Sequence, residues 1–322
     1  MIDLKNPFVM RESLYACDGT LIVRQGEMIT ETVLDKIAER GRYRRKDRFP
    51  LKNSELLADF MEVMNEENYR VIFEREIART EVIDVVQEIP LTKDICKELE
   101  LFKIMDRYTY RHILITSAMT TRMSLDTNQD PQKVLLAASA ALMHDFGKSR
   151  VPLDILQSSK KLNYEEFIYI LEHPWIGFLL LTFYTGSSST LPCEMALNHH
   201  EKIDGTGYPR GTRETNPIVQ LVTICDMFDA LISPRTYRMD QFNIRGALDY
   251  LCEEAERGHL NTDDVKLLIS YNRKSKTPAH ELVYSEDAYG YRPSEERNNY
   301  SGDGFQGEPD LDDESSGRQA GK

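Results

Sequence analysis

The sequence predicts a mainly α protein, a helical bundle preceded by a small β-containing N-terminal module. Three observations carry that expectation. From Ser54 to about Lys274 every segment with a clear period repeats its apolar residues at helical spacing, and several open on a helix-start signal. Residues 1 to about 50 instead show short β-type runs broken by glycines, as in CDGTLIVRQGEMIT. Finally, five of the seven histidines are strung along the helical part at intervals of roughly 26–32 residues, about one helix plus a loop.

In chain order, the β-type runs lead into TETVLDKIAERG, a short helix expected to close at Gly41. The basic run Arg40–Arg48 that follows reads as a solvated linker rather than a binding patch. Residues 51–93 form a helical linker region, and residues 94–274 the main domain, with no convincing strand. Asp130-Pro131 supplies a cap and a first-turn proline for a helix whose VLLAASAALMH packs on both faces. Asn163 with Glu166 is a capping box before FIYILEH. Asn216-Pro217 opens IVQLVTICDMFDALIS, and Asp240 opens a further helix ending near Gly258. The tail, 275–322, is polar and acidic with few aliphatics, and is expected to be disordered.

Bulk properties narrow the function classes. A chain of 322 residues and 37.2 kDa has room for one good-sized domain plus a smaller one. There is no run of 18 apolar residues, so no membrane span is expected, and the N-terminus lacks the pattern of a secretory signal. Five scattered cysteines with no CxxC spacing read as reduced thiols, which places the protein in the cytoplasm. The net charge of −13 argues against DNA as a partner. Ser285 to Lys322 carries ten acidic and four basic side chains, nearly half of that excess.

The chemistry lies in His112, His144, Asp145, His173, His199, His200 and Asp226. Successive helices at this spacing can each deliver a ligand to one point in a bundle. Imidazole plus carboxylate suits Mn, Fe or Zn, and seven ligands are too many for one tetrahedral ion but enough for two with open positions. A carboxylate beside a histidine, as at His144-Asp145, can bridge two ions. Taken singly, a histidine on an apolar helix is more often a packed core residue than a ligand. Asp226 is more telling, because a carboxylate in so apolar a run needs a partner. Lys148, three residues after Asp145, is placed to hold a phosphate oxygen. In NHHEKIDGTGYPRG the glycines permit a tight path beside a ligand, and Tyr208 offers a ring and a hydroxyl.

Together HDFGK, the His173-Pro174 pair, HHEKIDGTGYP and ICDMFDALISPRTYR resemble the HD-GYP domain, a subgroup of the HD metal-dependent phosphohydrolases. The similarity runs from about Asp94 to Lys274. It implies an HD-type helical bundle that linearises cyclic di-GMP to pGpG, in some members onward to GMP, in bacterial signalling. It also implies a binuclear centre of iron or manganese held by the seven residues above. By the same resemblance Asp145 and Lys148 are catalytic, and Lys148, Tyr208, Arg235 and Arg238 contact substrate, although lysine is commoner than arginine at the last position. Glu201 is expected to orient His200. Members with a third metal carry a glutamate four residues before the first histidine; here that residue is Tyr108, so two ions and a pGpG product are expected. Asp106 is the nearby carboxylate that could complete a third site instead.

The expected mechanism is attack on one phosphodiester by a water activated between two ions, with Lys148 and Arg235 stabilising the phosphoryl charge. Other readings are a phosphodiesterase for another cyclic dinucleotide such as cyclic GMP-AMP, a catalytically idle cyclic di-GMP receptor, or a structural protein with core histidines. The N-terminal segment faintly resembles the β-rich modules that precede some HD-GYP domains, and a homodimer contact or signalling partner would engage it.

Overall fold

Short-range capping chemistry opens most of the helices. The computed structural model describes residues 8–44, 47–51, 55–128, 130–160, 162–234, 240–273, 278–282 and 290–293. A two-stranded antiparallel hairpin, β1 (Leu14–Tyr15) and β2 (Leu21–Val23), precedes α1 (Glu31–Arg42), which Thr30 caps. A second pair, β3 (Phe49–Pro50) with β4 (Pro90–Leu91), flanks α2 (Glu55–Asn65) and α3 (Glu76–Val86). Next come α4 (Lys93–Met105), α5 (Arg107–Thr127) and α6 (Pro131–Met143). A 3-10 turn (Phe146–Arg150) leads to α7 (Leu153–Leu156), α8 (Tyr164–Leu171), α9 (His173–Thr185) and α10 (Leu191–Asn198). The order ends with α11 (Pro217–Ile232), α12 (Ile244–Glu256), α13 (Thr262–Asn272) and a 3-10 turn at Ala279–Glu281.

The mainly α expectation holds. Helix α5 runs through the centre, buried from Thr109 to Ser124 apart from Arg111, and packs against α6 and α11; α9 packs on α10 and on the 146–150 turn. Asp130 caps α6 with Pro131 in its first turn, Asn163 and Glu166 form the reciprocal capping box of α8, and Asn216 caps α11. The segment Tyr164–Thr185 is long and apolar enough by composition to cross a membrane, which the sequence reading did not anticipate. Yet 72% of its apolar window is buried inside the fold, where α9 is a core helix.

Five expectations need correction. Gly41 does not close α1. It lies within the helix, where a Cβ would come 2.1 Å from the Phe183 carbonyl oxygen, so glycine allows α1 to cross α9. The first half of the basic run is a set of tethers rather than a solvated linker: Arg40 and Arg42 donate to backbone carbonyls, and Arg44 forks onto Asp94 while reaching Asp18. The helical linker region, 51–93, carries the short strand β4, paired with β3. Helix α12 opens at Asn243, whose side chain accepts from the Gly246 amide, and not at Asp240. Part of the tail is ordered. Leu282 is buried, and Gly290–Arg292 lies along α12, with Arg292 paired to Glu253. The rest of the tail lies outside the described residues.

Candidate metal centre

Five helices deliver the predicted ligands to one point. His112 comes from α5, His144 from the end of α6, His173 from the first turn of α9, His199 and His200 from the end of α10, and Asp226 from α11. Asp145 follows His144 and heads the 3-10 turn. Gly147 explains how that turn reaches α9, since a Cβ there would stand 1.9 Å from the His173 carbonyl oxygen. Glycine at this position brings Asp145 and His173 side by side.

The ligand atoms divide into two sets about Asp145. On one side lie His112, His144 and Asp226; on the other, His173, His199 and His200. Asp145 faces both. Its Oδ2 is 3.5 Å from the Nε2 atoms of His112 and His144, and its Oδ1 is 3.3 Å and 3.6 Å from those of His173 and His199. His112 Nε2 is 3.0 Å from Asp226 Oδ1, and His173 Nε2 is 3.1 Å from His199 Nε2. All seven residues are buried except His200, which is partly open.

The far ring nitrogens are spoken for, which aims the Nε2 atoms inward. His144 Nδ1 meets the Ala141 carbonyl at 2.7 Å, His173 Nδ1 that of Ile170 at 2.5 Å, and His199 Nδ1 those of Met195 and Ala196 at 3.1 Å. His112 Nδ1 instead meets a carboxylate, Asp229 Oδ2, at 2.5 Å. Sequence reading missed Asp229. It stands three residues after Asp226 on the same helix, and a second carboxylate in that apolar run was the signal. Behind it, Arg111 and Ser233 donate at 3.0 and 2.9 Å, Tyr69 donates through its hydroxyl, and Glu66 holds the other side of Arg111.

This donor set suits divalent cations. Burial pushes His144 down to about 4 and also lowers His173 and His200, so these rings are neutral. Burial works against ionisation of Asp145 too, but Lys148 and His144 hold it well below the usual carboxylate range; His112 does the same for Asp226. His112 is the exception among the imidazoles. Burial would lower it, yet Asp226 and Asp229 on its two nitrogens raise it to about 9, a proton in the place a cation would take. His112 Nε2, His144 Nε2 and Asp145 Oδ1 are buried without a hydrogen bond, and all three point to the centre. Buried polar atoms left so are costly unless something coordinates them.

A cleft of about 730 Å³ opens onto the centre. Lys148 stands at its floor with Nζ 2.6 Å from Asp145 Oδ2, and Tyr208 stacks on His200 at 4.5 Å. Tyr108, Phe167 and Tyr250 add aromatic wall, and Arg107 and Lys202 add positive charge. The second glycine of DGTGYP is needed sterically: a Cβ on Gly207 would be 2.3 Å from the His200 carbonyl oxygen. Glu201 does not orient His200 as expected. Its carboxylate accepts the Arg210 and Thr212 amides at 2.8 and 2.9 Å and so pins the loop. Tyr108 lies over His112 at 6.2 Å, and both oxygens of Asp106 cap α5 through Thr109. Arg235 and Arg238 fall outside the described residues.

Several known proteins share this part of the chain. It is 35% identical over 138 residues to the cyclic di-GMP phosphodiesterase PA4108 of Pseudomonas aeruginosa, covering 42% of this chain and 33% of that protein. A cyclic di-GMP phosphodiesterase of Thermotoga maritima is 36% identical over 146 residues, 44% of this chain and 40% of its own. The 3'3'-cGAMP-specific phosphodiesterase 1 of Vibrio cholerae is 29% identical over 51% of this chain and 38% of its own. The chain thus spans about a third to two fifths of these relatives. The HD domain family profile matches residues 54–263, more than half of the sequence. With its histidines and aspartates gathered as the HD-GYP resemblance implied, the chain belongs to the HD domain family.

Proposed function

We propose that this chain is a metal-dependent phosphodiesterase that opens cyclic di-GMP to pGpG. Two divalent ions, iron or manganese, would be held by His112, His144 and Asp226 on one side and by His173, His199 and His200 on the other, with Asp145 shared. One observation carries the reading: two sets of ligand atoms flank a single carboxylate, with unsatisfied Nε2 atoms turned inward beneath an open cleft. The names of the relatives supply the substrate class.

Divalent ions supply Lewis acidity for the phosphoryl group and a water acidic enough to attack at neutral pH. The protein's residues do the rest. Lys148, already charge-paired at the floor, offers an ammonium to a phosphoryl oxygen, and Arg235 and Arg238 are assigned the same task. The stacked Tyr208 provides a flat wall for a purine. The cleft volume lies within the range of roughly 300–1,000 Å³ usual for small-molecule sites. Tyr108, in place of a third carboxylate, supports two ions and a pGpG product.

A second reading, a sister cyclic dinucleotide, is favoured by relatives named for 3'3'-cGAMP. Anaerobic reconstitution with Fe or Mn, metal counting, and chromatographic turnover of both dinucleotides side by side test the proposal. Two ions per chain with faster conversion of cyclic di-GMP to pGpG is the expected result. Preference for cyclic GMP-AMP would move the assignment to the second reading. A fully loaded protein that cleaves neither would refute both.

A further inference from the structure

We propose that Arg150 is a positioning residue for the metal loop, and that the N-terminal hairpin is, through Arg150, a working part of the catalytic unit. The proposal rests on the phosphodiesterase reading for what the loop does, but not for how it is held.

Arg150 ends the 3-10 turn that begins beside Asp145 and contains Lys148. Its guanidinium joins four parts of the fold. Nε donates to the Tyr15 carbonyl of β1 at 3.0 Å, and Nη2 lies 3.6 Å from Cys17 Sγ in the hairpin turn. Both terminal nitrogens donate to Glu98 of α4, at 3.1 and 2.6 Å. Nη1 also donates to Ser149 Oγ at 2.6 Å, and that hydroxyl donates to the Phe146 carbonyl at 2.6 Å, so both ends of the turn are tied. Glu98 is fully buried and takes a further bond from Tyr184 of α9 at 2.6 Å. The Tyr184 hydroxyl in turn accepts the Cys17 amide at 3.3 Å.

The other side of the turn is equally constrained. Gly147 lies against the His173 backbone with no room for a Cβ, and Lys148 is paired with Asp145 at 2.6 Å. Phe146 is buried against Phe102, on the same helix as Glu98. A short turn gripped at both faces cannot absorb a displacement internally. Movement of the hairpin is therefore passed to Lys148 and Asp145, where a shift of about 1 Å can cost about 100-fold in rate. The N-terminal module, whose role the sequence left open, is placed to tune the centre by this route.

The bland alternative is that Arg150 merely neutralises a buried carboxylate. Two full-length variants separate the possibilities. Arg150→Met strands Glu98 and should lower Tm sharply. Adding Glu98→Gln removes the stranded charge and should recover most of that Tm. If Arg150 positions the turn, the double variant keeps the defect. In metal-free protein the Lys148 and Val151 amides, which close the turn onto Asp145 and Lys148, should exchange roughly tenfold faster than in wild type. Turnover of the metal-loaded double variant should be about ten- to a hundredfold lower. Wild-type exchange and turnover in a stable double variant would overturn the proposal.

Should the charge variants not fold, Arg150→Lys decides, since it keeps a positive charge beside Glu98 but loses the fork that also reaches Tyr15 and Ser149. Exchange at Lys148 and Val151 at least about threefold faster supports the coupling, as expected for loss of one or more hydrogen bonds, and unchanged exchange overturns it. If wild type cleaves no cyclic dinucleotide, the substrate reading fails while the exchange data still judge the anchoring.

Discussion

Replacing Asp229 by Asn should weaken one metal site and leave the other nearly intact. The carboxylate is fully buried and accepts from His112 Nδ1, Arg111, Ser233 and Tyr69. An asparagine has a single acceptor oxygen. Turned towards His112 it presents its NH2 to the guanidinium and hydroxyls, and turned the other way it presents that group to the imidazole. One charge-assisted bond, on the order of 1.5–3 kcal/mol, is lost in either orientation. Arg111 keeps its fork onto Glu66, at 2.6–2.9 Å, so the network is weakened rather than stranded. Loss of such a partner behind a ligating histidine typically costs about 10–100-fold in metal affinity. Competition of the reconstituted protein against a graded chelator should show one ion released at a concentration lower by that factor, the second unchanged. Equal retention of both ions would refute the claim that Asp229 aims His112.

Three shorter tests follow from the same structure. Asp145→Asn should lower metal content and abolish turnover, because one carboxylate faces both sets of ligand atoms; a normal metal count with normal rate would sink the shared site. Truncation after Lys276 removes the buried Leu282 and the Gly290–Arg292 segment, so Tm should fall by several degrees, from about 1.5–3 kcal/mol of lost burial. An unchanged melt would show that these contacts contribute nothing. Asp264 is pushed up to about 6, by burial first and then by Asp263. A carboxyl raised in the fold costs stability where it is ionised, so the cost is small near pH 4, grows as pH rises towards 6 and is complete above it. Asp264→Asn should therefore stabilise at pH 8 by about 1–2 kcal/mol, the helix N-terminus offsetting part of the gain, and have little effect at pH 4. Identical melts at pH 8 would count against it.

Legibility in the sequence tracked the range of the interaction. Capping at Asp130, Asn163 and Asn216 is settled within three residues, and these read correctly. Asp240 misled because Asn243, three residues on, offers the same chemistry to the helix that actually starts there. The seven converging positions were legible for another reason: charged and imidazole side chains in apolar helices are too costly to occur without a partner, and their spacing matched helix length. Asp229 carried the same signal and was passed over beside Asp226.

By itself the sequence determined the helical class, the helix starts with local caps, the seven residues that converge, and the resemblance they support. Tertiary structure alone decided how those seven divide about Asp145, because that depends on five helices meeting. It likewise decided that Asp229, 117 residues from His112, would hold its ring, and that Glu98 and Arg150, 52 apart, would join the hairpin to the metal loop. Gly41, the basic run and the docked tail were misread on the same ground. Their neighbours, Phe183, Asp94 and α12, are brought to them by the fold, and a residue's local propensity holds no record of a partner so far along the chain.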